Sequence, residues 1–113
     1  MTAKELYDEV MKSELCIRCG SPEEARTVLR FFDEHGTRMD PLIRRIAYDE
    51  EPEDTYKNYP FAGRTQHGDR KNITLFCAIS DRPCVNYEEV RDVVERGLTS
   101  AWVASTDFAA LLV

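Results

Sequence analysis

Three features of the sequence predict an α+β domain with the split element order βαββαβ, preceded by an extra helix. From Glu14 to Gly36 an alternating apolar segment passes through a sharp turn into a well-capped helix. Phe61 to Gln66 and Asn72 to Ser80, both apolar in pattern, flank the polar, glycine-containing loop His67 to Lys71, as the strands of a hairpin do. Asn86 to Gly97 then reads as a second capped helix, and Leu98 to Ser105 as a closing strand. With 113 residues and 42% hydrophobic content, the chain is expected to form one domain, residues 1–113, around one modest core.

In chain order, Thr2 and Glu5 form a capping box ahead of a helix over residues 3–12, in which Leu6, Val10 and Met11 make a narrow apolar stripe. Leu15, Ile17 and Cys19 fall on one face of the following strand, with Cys16 and Arg18 on the other. Ser21 takes the N-cap, Pro22 the first helical position where a missing N–H does no harm, and Glu24 the position that closes a capping box. Ala25, Val28, Leu29 and Phe32 recur at helical spacing, and Gly36 supplies the left-handed residue that ends the helix.

Asp40 and Pro41 start a short helix with Leu42, Ile43, Ile46 and Ala47 as its apolar side. Asp49 to Pro60 is a long connection after the first crossover helix, acidic at first and aromatic at its end. In the second hairpin strand Ile73, Leu75, Cys77 and Ile79 face one way while Phe76 and Ala78 face the other, which predicts a central strand. Asp81 and Pro83 turn the chain, Asn86 and Glu89 make a third capping box, and Tyr87, Val90, Val93 and Val94 stripe the last helix. The tail from Asp107 to Val113 is too apolar to stay in water. The expected core holds Ile17, Val28, Leu29, Phe32, Leu75, Cys77, Val90 and Val94. The whole order is that of the ferredoxin-like fold, in which two helices cover one face of a four-stranded antiparallel sheet.

Charge narrows the function. A net charge of −6 disfavours phosphate backbones, because such binding needs clustered Lys and Arg, so no direct nucleic-acid contact is expected. Asp49, Glu50, Glu51, Glu53 and Asp54 carry most of that charge in a single loop around Pro52. The N-terminal residues lack the basic start and apolar run of a signal peptide, and no apolar stretch reaches membrane-spanning length. A cytoplasmic protein without a membrane partner is expected, its four cysteines held as thiols by a reducing compartment.

Cys16 and Cys19 have the spacing of a zinc knuckle or a redox pair, and Cys77 and Cys84 would complete a tetrahedral zinc site. Against zinc, the later pair is spaced too widely, and Cys16 and Cys19 on a regular strand point to opposite faces. Against redox chemistry between these two, both precede the cap at Ser21, outside the reach of the helix dipole that would lower a thiol pKa. Structural thiols are the expectation, with no metal and no cofactor, and a structural zinc protein is an alternative. His35 in the last turn of its helix suits the dipole as a cation, and His67 lies in the hairpin loop. Neither has a nucleophile or carboxylate beside it in sequence, and no phosphate-binding or dinucleotide-binding loop is present. No catalytic residues are assigned. The exposed sheet face of an RNA-recognition module would require stacked aromatics on both central strands, and Cys16 and Arg18 do not provide them.

The acidic run ends in Tyr56, Tyr59 and Phe61, rigid contact area beside charge, and this combination suits recognition of a basic partner. The ordinary explanation is a solvated loop that keeps the protein soluble. Asp49, Glu50, Glu51, Glu53, Asp54, Tyr56 and Tyr59 are therefore the candidate partner-binding residues.

The unit LCIRC followed by SPEEARTVLRFFDEHG, with S-T-D-F near the C-terminus, resembles small accessory proteins of phages and prophages, in which a strand leads into an S-x-E-E-A helix that ends in glycine. Thr37 to Pro41 departs from those proteins in lacking a short aromatic strand after the glycine. The resemblance implies a non-catalytic inhibitor or adaptor of host machinery, including nucleic-acid-binding defence enzymes that acidic surfaces block. The expected function is thus a small cytosolic interaction protein that binds a basic protein surface through its acidic-aromatic loop. The alternative is a ligand-binding regulatory domain of the amino-acid-sensing ferredoxin-like kind, which works as a homodimer and would place its ligand at the loop around Gly20.

Overall fold

Local capping chemistry places each helix start in the computed structural model, which describes residues 2–48, 58–65, 72–79 and 81–97. The N-terminal helix, α1 (Ala3–Met11), opens with a complete capping box: the Thr2 hydroxyl accepts from the Glu5 N–H at 3.1 Å, and the Glu5 carboxylate accepts from the Thr2 N–H at 3.1 Å. Strand β1 (Cys16–Arg18) then leads to α2 (Pro22–Glu34). There Ser21 Oγ accepts from the Glu24 N–H at 3.2 Å, but the Glu24 carboxylate reaches past the cap to the Gly20 N–H at 2.7 Å. The box thus closes one residue earlier than the expected geometry.

Gly36 ends the α2 region at φ +85°, the left-handed conformation that a side chain resists. Helix α3 (Pro41–Ala47) begins at Asp40, whose carboxylate accepts from the Ile43 N–H at 2.9 Å. Ile43, Ile46 and Ala47 are buried as expected, whereas Leu42 is 50% exposed and belongs to the solvent side of this short helix.

Strands β2 (Phe61–Arg64) and β3 (Ile73–Phe76) form the expected antiparallel hairpin, with Phe61 opposite Phe76 and Ala62 opposite Leu75. A further strand, β4 (Cys84–Asn86), precedes α4 (Tyr87–Gly97). The four described strands make a mixed sheet in the order β3-β2-β1-β4, with β1 antiparallel to β2 and parallel to β4. This pairing departs from the ferredoxin-like order. The neighbour of β1 is the first hairpin strand and not the second, so β3 stands at one end of the described order instead of in the centre. The place on the other side of β1 is taken by Cys84–Asn86, a segment expected to be only a turn and a cap. The closing strand Leu98 to Ser105, the apolar tail and residues 49–57 of the acidic connection lie outside the described residues.

Register puts Leu75, Ala62, Ile17 and Val85 side by side across the four strands. That row belongs to one continuous core with Leu6 and Val10 of α1, Val28, Leu29 and Phe32 of α2, and Val90 and Val94 of α4. Each large apolar side chain fully buried here contributes about 1.5 to 3 kcal/mol relative to exposure. Phe31, which the helical stripe omitted, is fully buried too, edge-on to Phe32 at 5.1 Å and stacked on His35 at 4.2 Å. Arg30 Nε donates to the Ala47 carbonyl at 2.6 Å and fastens α3 to α2. Cys77 is corrected from core to surface: β3 ends at Phe76, and the thiol one residue later is exposed.

The opposite face of the sheet is built differently. Cys16, Gly63 and Phe76 lie there, covered by the long side chain of Arg82. Its guanidinium sits 4.8 Å over the Phe76 ring, and its Nη1 donates to the Arg64 carbonyl at 2.8 Å. Gly63 is required by this contact, since a Cβ at that position would meet Cys16 Sγ at 2.9 Å and Arg82 Nη1 at 3.3 Å.

Candidate functional site

The β1–α2 turn borders adjoining hollows of the described surface. The ladder between β1 and β2 continues one residue beyond the strands, where the Cys19 N–H donates to the Pro60 carbonyl at 2.7 Å. That bond seats Tyr59, which is 42% exposed, at the rim of a cleft whose other walls include Arg18, Gly20, Ser21 and Pro22. The cleft continues past Gly20 to Asn86, Tyr87 and Glu88, where β4 becomes α4. On its far side Glu23, Glu24 and Glu95 face Arg91 and Thr27.

The electrostatics here oppose anions. A helix N-terminus ordinarily attracts a negative group to its free N–H donors. At α2 the Ser21 hydroxyl and the Glu24 carboxylate already occupy that position. Arg91 lies 3.8 Å from Glu24 Oε2 and 5.5 Å from the Tyr87 ring centroid. Tyr87 itself is buried and donates to Glu95 at 3.3 Å. Burial, with the Glu95 charge beside it, pushes its phenol up to about 12, so it stays neutral. Glu23, Glu24, Glu88 and Glu95 therefore outnumber Arg18 and Arg91 around the cleft, and its local charge is negative.

A basic surface lies elsewhere. Arg44 and Arg45 on α3 border an open hollow of about 660 Å³ with Pro41 and Tyr48. The guanidinium groups of Arg30 and Arg44 approach the Tyr48 ring at 5.4 and 5.5 Å. Asp33 accepts from both the Tyr48 hydroxyl and Arg44, and burial together with that carboxylate pushes the Tyr48 phenol up to about 12.

Among the residues expected to bind a partner, Tyr59 is placed on the surface at the Gly20 cleft. Asp49, Glu50, Glu51, Glu53, Asp54 and Tyr56 lie outside the described residues. Sequence reading missed the contributions of Glu23, Glu88, Tyr87, Arg91 and Glu95. The signal available was Glu24 in its capping box, which marks an acidic helix start, but only the packing of α4 beside α2 joins the two acidic ends.

Cys16 and Cys19 point to opposite faces, as alternation requires. Cys19 is buried within the helix-side core, and burial pushes its thiol up to about 12. Cys16 is fully buried on the other face. Among the described residues no three His, Cys, Asp or Glu side chains gather in a way that could hold a metal ion. His35 is corrected from a cation at a helix end: burial lowers its pKa to about 4, and the ring is neutral near pH 7. Among the described residues no helix is long and apolar enough to cross a membrane. Comparison of the chain with protein-family models, with curated proteins and with solved structures gives no match in any of the three.

Proposed function

We propose that this chain is a small, non-catalytic interaction protein of the cytosol that binds a basic protein surface. The observation that carries the reading is the position of Tyr59. The exposed aromatic that closes the acidic-aromatic connection stands at the rim of the cleft beside the capped start of α2, and the hollows that adjoin this cleft carry four carboxylates against two arginines. A Lys or Arg side chain from a partner finds carboxylates in the cleft and an aromatic face beside it. The five acidic residues from Asp49 to Asp54 precede Tyr59 in the chain and carry charge of the same sign. The four free thiols fit a reducing compartment. The capped strand-to-helix unit, Cys16 through Gly36, supports placing the protein among small phage and prophage accessory proteins that inhibit or adapt host machinery.

The test is capture of the partner on immobilised protein, followed by association and dissociation kinetics at low and moderate salt. Neutralising Asp49, Glu50, Glu51, Glu53 and Asp54 together should slow association and flatten its salt dependence while leaving the melting temperature unchanged. Tyr59→Ala should act on dissociation, raising its rate about tenfold or more if the ring is an anchor. Unchanged kinetics in both variants refute the proposal.

A further inference from the structure

All four cysteines are described, and the topology lets one pair of them meet. Cys16 and Cys84 are direct partners in the parallel ladder of β1 and β4, so their side chains rise from the same face of the sheet. Neighbouring strands run about 4.8 Å apart, inside the Cα separation of about 4.4 to 6.8 Å that a disulfide spans. Cys19 is turned into the core on the other face. Cys77 follows β3, three strand spacings or about 14 Å from β4.

The two sulfurs are unequally placed. Cys84 is exposed, whereas Cys16 is fully buried under Arg82, whose Nη1 lies 3.6 Å from Cys16 Sγ. We infer that Cys16 and Cys84 form a thiol–disulfide pair, a modification site at which a small-molecule disulfide of the glutathione class reacts with exposed Cys84 and buried Cys16 resolves the product.

The chemistry balances in two exchanges. First the Cys84 thiolate attacks one sulfur of the small disulfide. The Cys84–sulfur bond forms, the small disulfide bond breaks, and one small thiol leaves, taking up the proton that Cys84 released. The Cys16 thiolate then attacks Cys84 Sγ. The protein disulfide forms, the mixed disulfide breaks, and the second small thiol leaves with the proton from Cys16. The cysteine pair is oxidised by two electrons and the small disulfide is reduced by the same two. The cross-link joins β1 to β4 two residues before Arg18 and Asn86, which are themselves paired and line the Gly20 cleft. Oxidation therefore staples the strand pair that supports the site.

The experiment incubates the full chain with oxidised glutathione without denaturant, blocks residual thiols with an alkylating reagent and maps tryptic peptides by mass spectrometry. The free thiols should fall from four to two, with a cross-link between the peptide Ser13 to Arg18 and the segment carrying Cys84. Cys77→Ser should keep that cross-link, and Cys84→Ser, at an exposed position, should abolish it. Cys16→Ser should stop at a glutathione adduct on Cys84. A cross-link through Cys19 or Cys77, or an adduct on Cys84 of the unaltered protein that never resolves, overturns the inference.

Discussion

Phe32 shows how much a single side chain can carry, since it is fully buried between α1 and the sheet-side core and its ring lies 5.9 Å from that of Tyr7. Phe32→Ala should cost about 3 to 5 kcal/mol in urea unfolding, because it removes apolar contact and leaves a cavity that rigid neighbours cannot fill. His35 offers a test by pH. Its ring is 5% exposed and stacked on Phe31, and burial holds its pKa at about 4 against an ordinary 6.5. The folded state keeps the ring neutral while the unfolded chain protonates it below about 6.5. Its contribution is therefore complete above that value, falls as pH drops toward about 4, and levels off below. Unfolding measured across this window should show the decline, and His35→Gln should flatten it. A ring titration by NMR near pH 6.5 in the folded protein would contradict the assignment.

At the scale of elements, β2 and β1 depend on the absence of a side chain at Gly63. The Cβ of Gly63→Ala would come within 2.9 Å of the buried Cys16 Sγ, closer than real contacts allow. The substitution should destabilise by about 1 to 3 kcal/mol through overpacking. Combining it with Cys16→Ala should recover part of the loss, a non-additivity that a double-mutant cycle in urea measures directly. Additive losses would mean that the strain lies elsewhere, for instance at the Arg82 guanidinium. The same contact explains the second sheet face: an arginine lies across it because glycine opens the hollow and Phe76 offers a ring for the cation.

At the scale of the molecule, charge is divided between ends. Carboxylates collect where α2 and α4 begin, and arginines collect around α3 and Tyr48. Helix starts favour acidic residues and helix ends favour basic ones, so part of this division follows from the macrodipoles of the helices. Glu23 and Glu24 open α2, Glu88 and Glu89 open α4, and Arg44 and Arg45 close α3. Packing α2 against α4 then brings the two acidic starts together next to the Gly20 cleft and gives the proposed interaction surface its sign.

Helix starts were legible because their causes are local: Thr2, Ser21 and Asp40 bond to N–H groups three residues away, and Gly36 ends its helix through its own φ. Alternation likewise predicted that Cys16 and Cys19 would face apart. The partners of a strand are another matter. A period of two assigns each side chain to a face but names no neighbour, so Ile73 to Ile79 read as central although β3 stands at the end of the described order. The same limit hid β4, only three residues long, and with it the meeting of Cys16 and Cys84. Where Cys77 lies was decided by the end of β3, and the protonation of His35 by the closing of the core around it. The sequence by itself determined where helices begin and which strand faces turn inward, because those depend on bonds within a few residues. Only the tertiary structure decided which strands lie side by side, because that depends on contacts between distant segments competing for the same buried space.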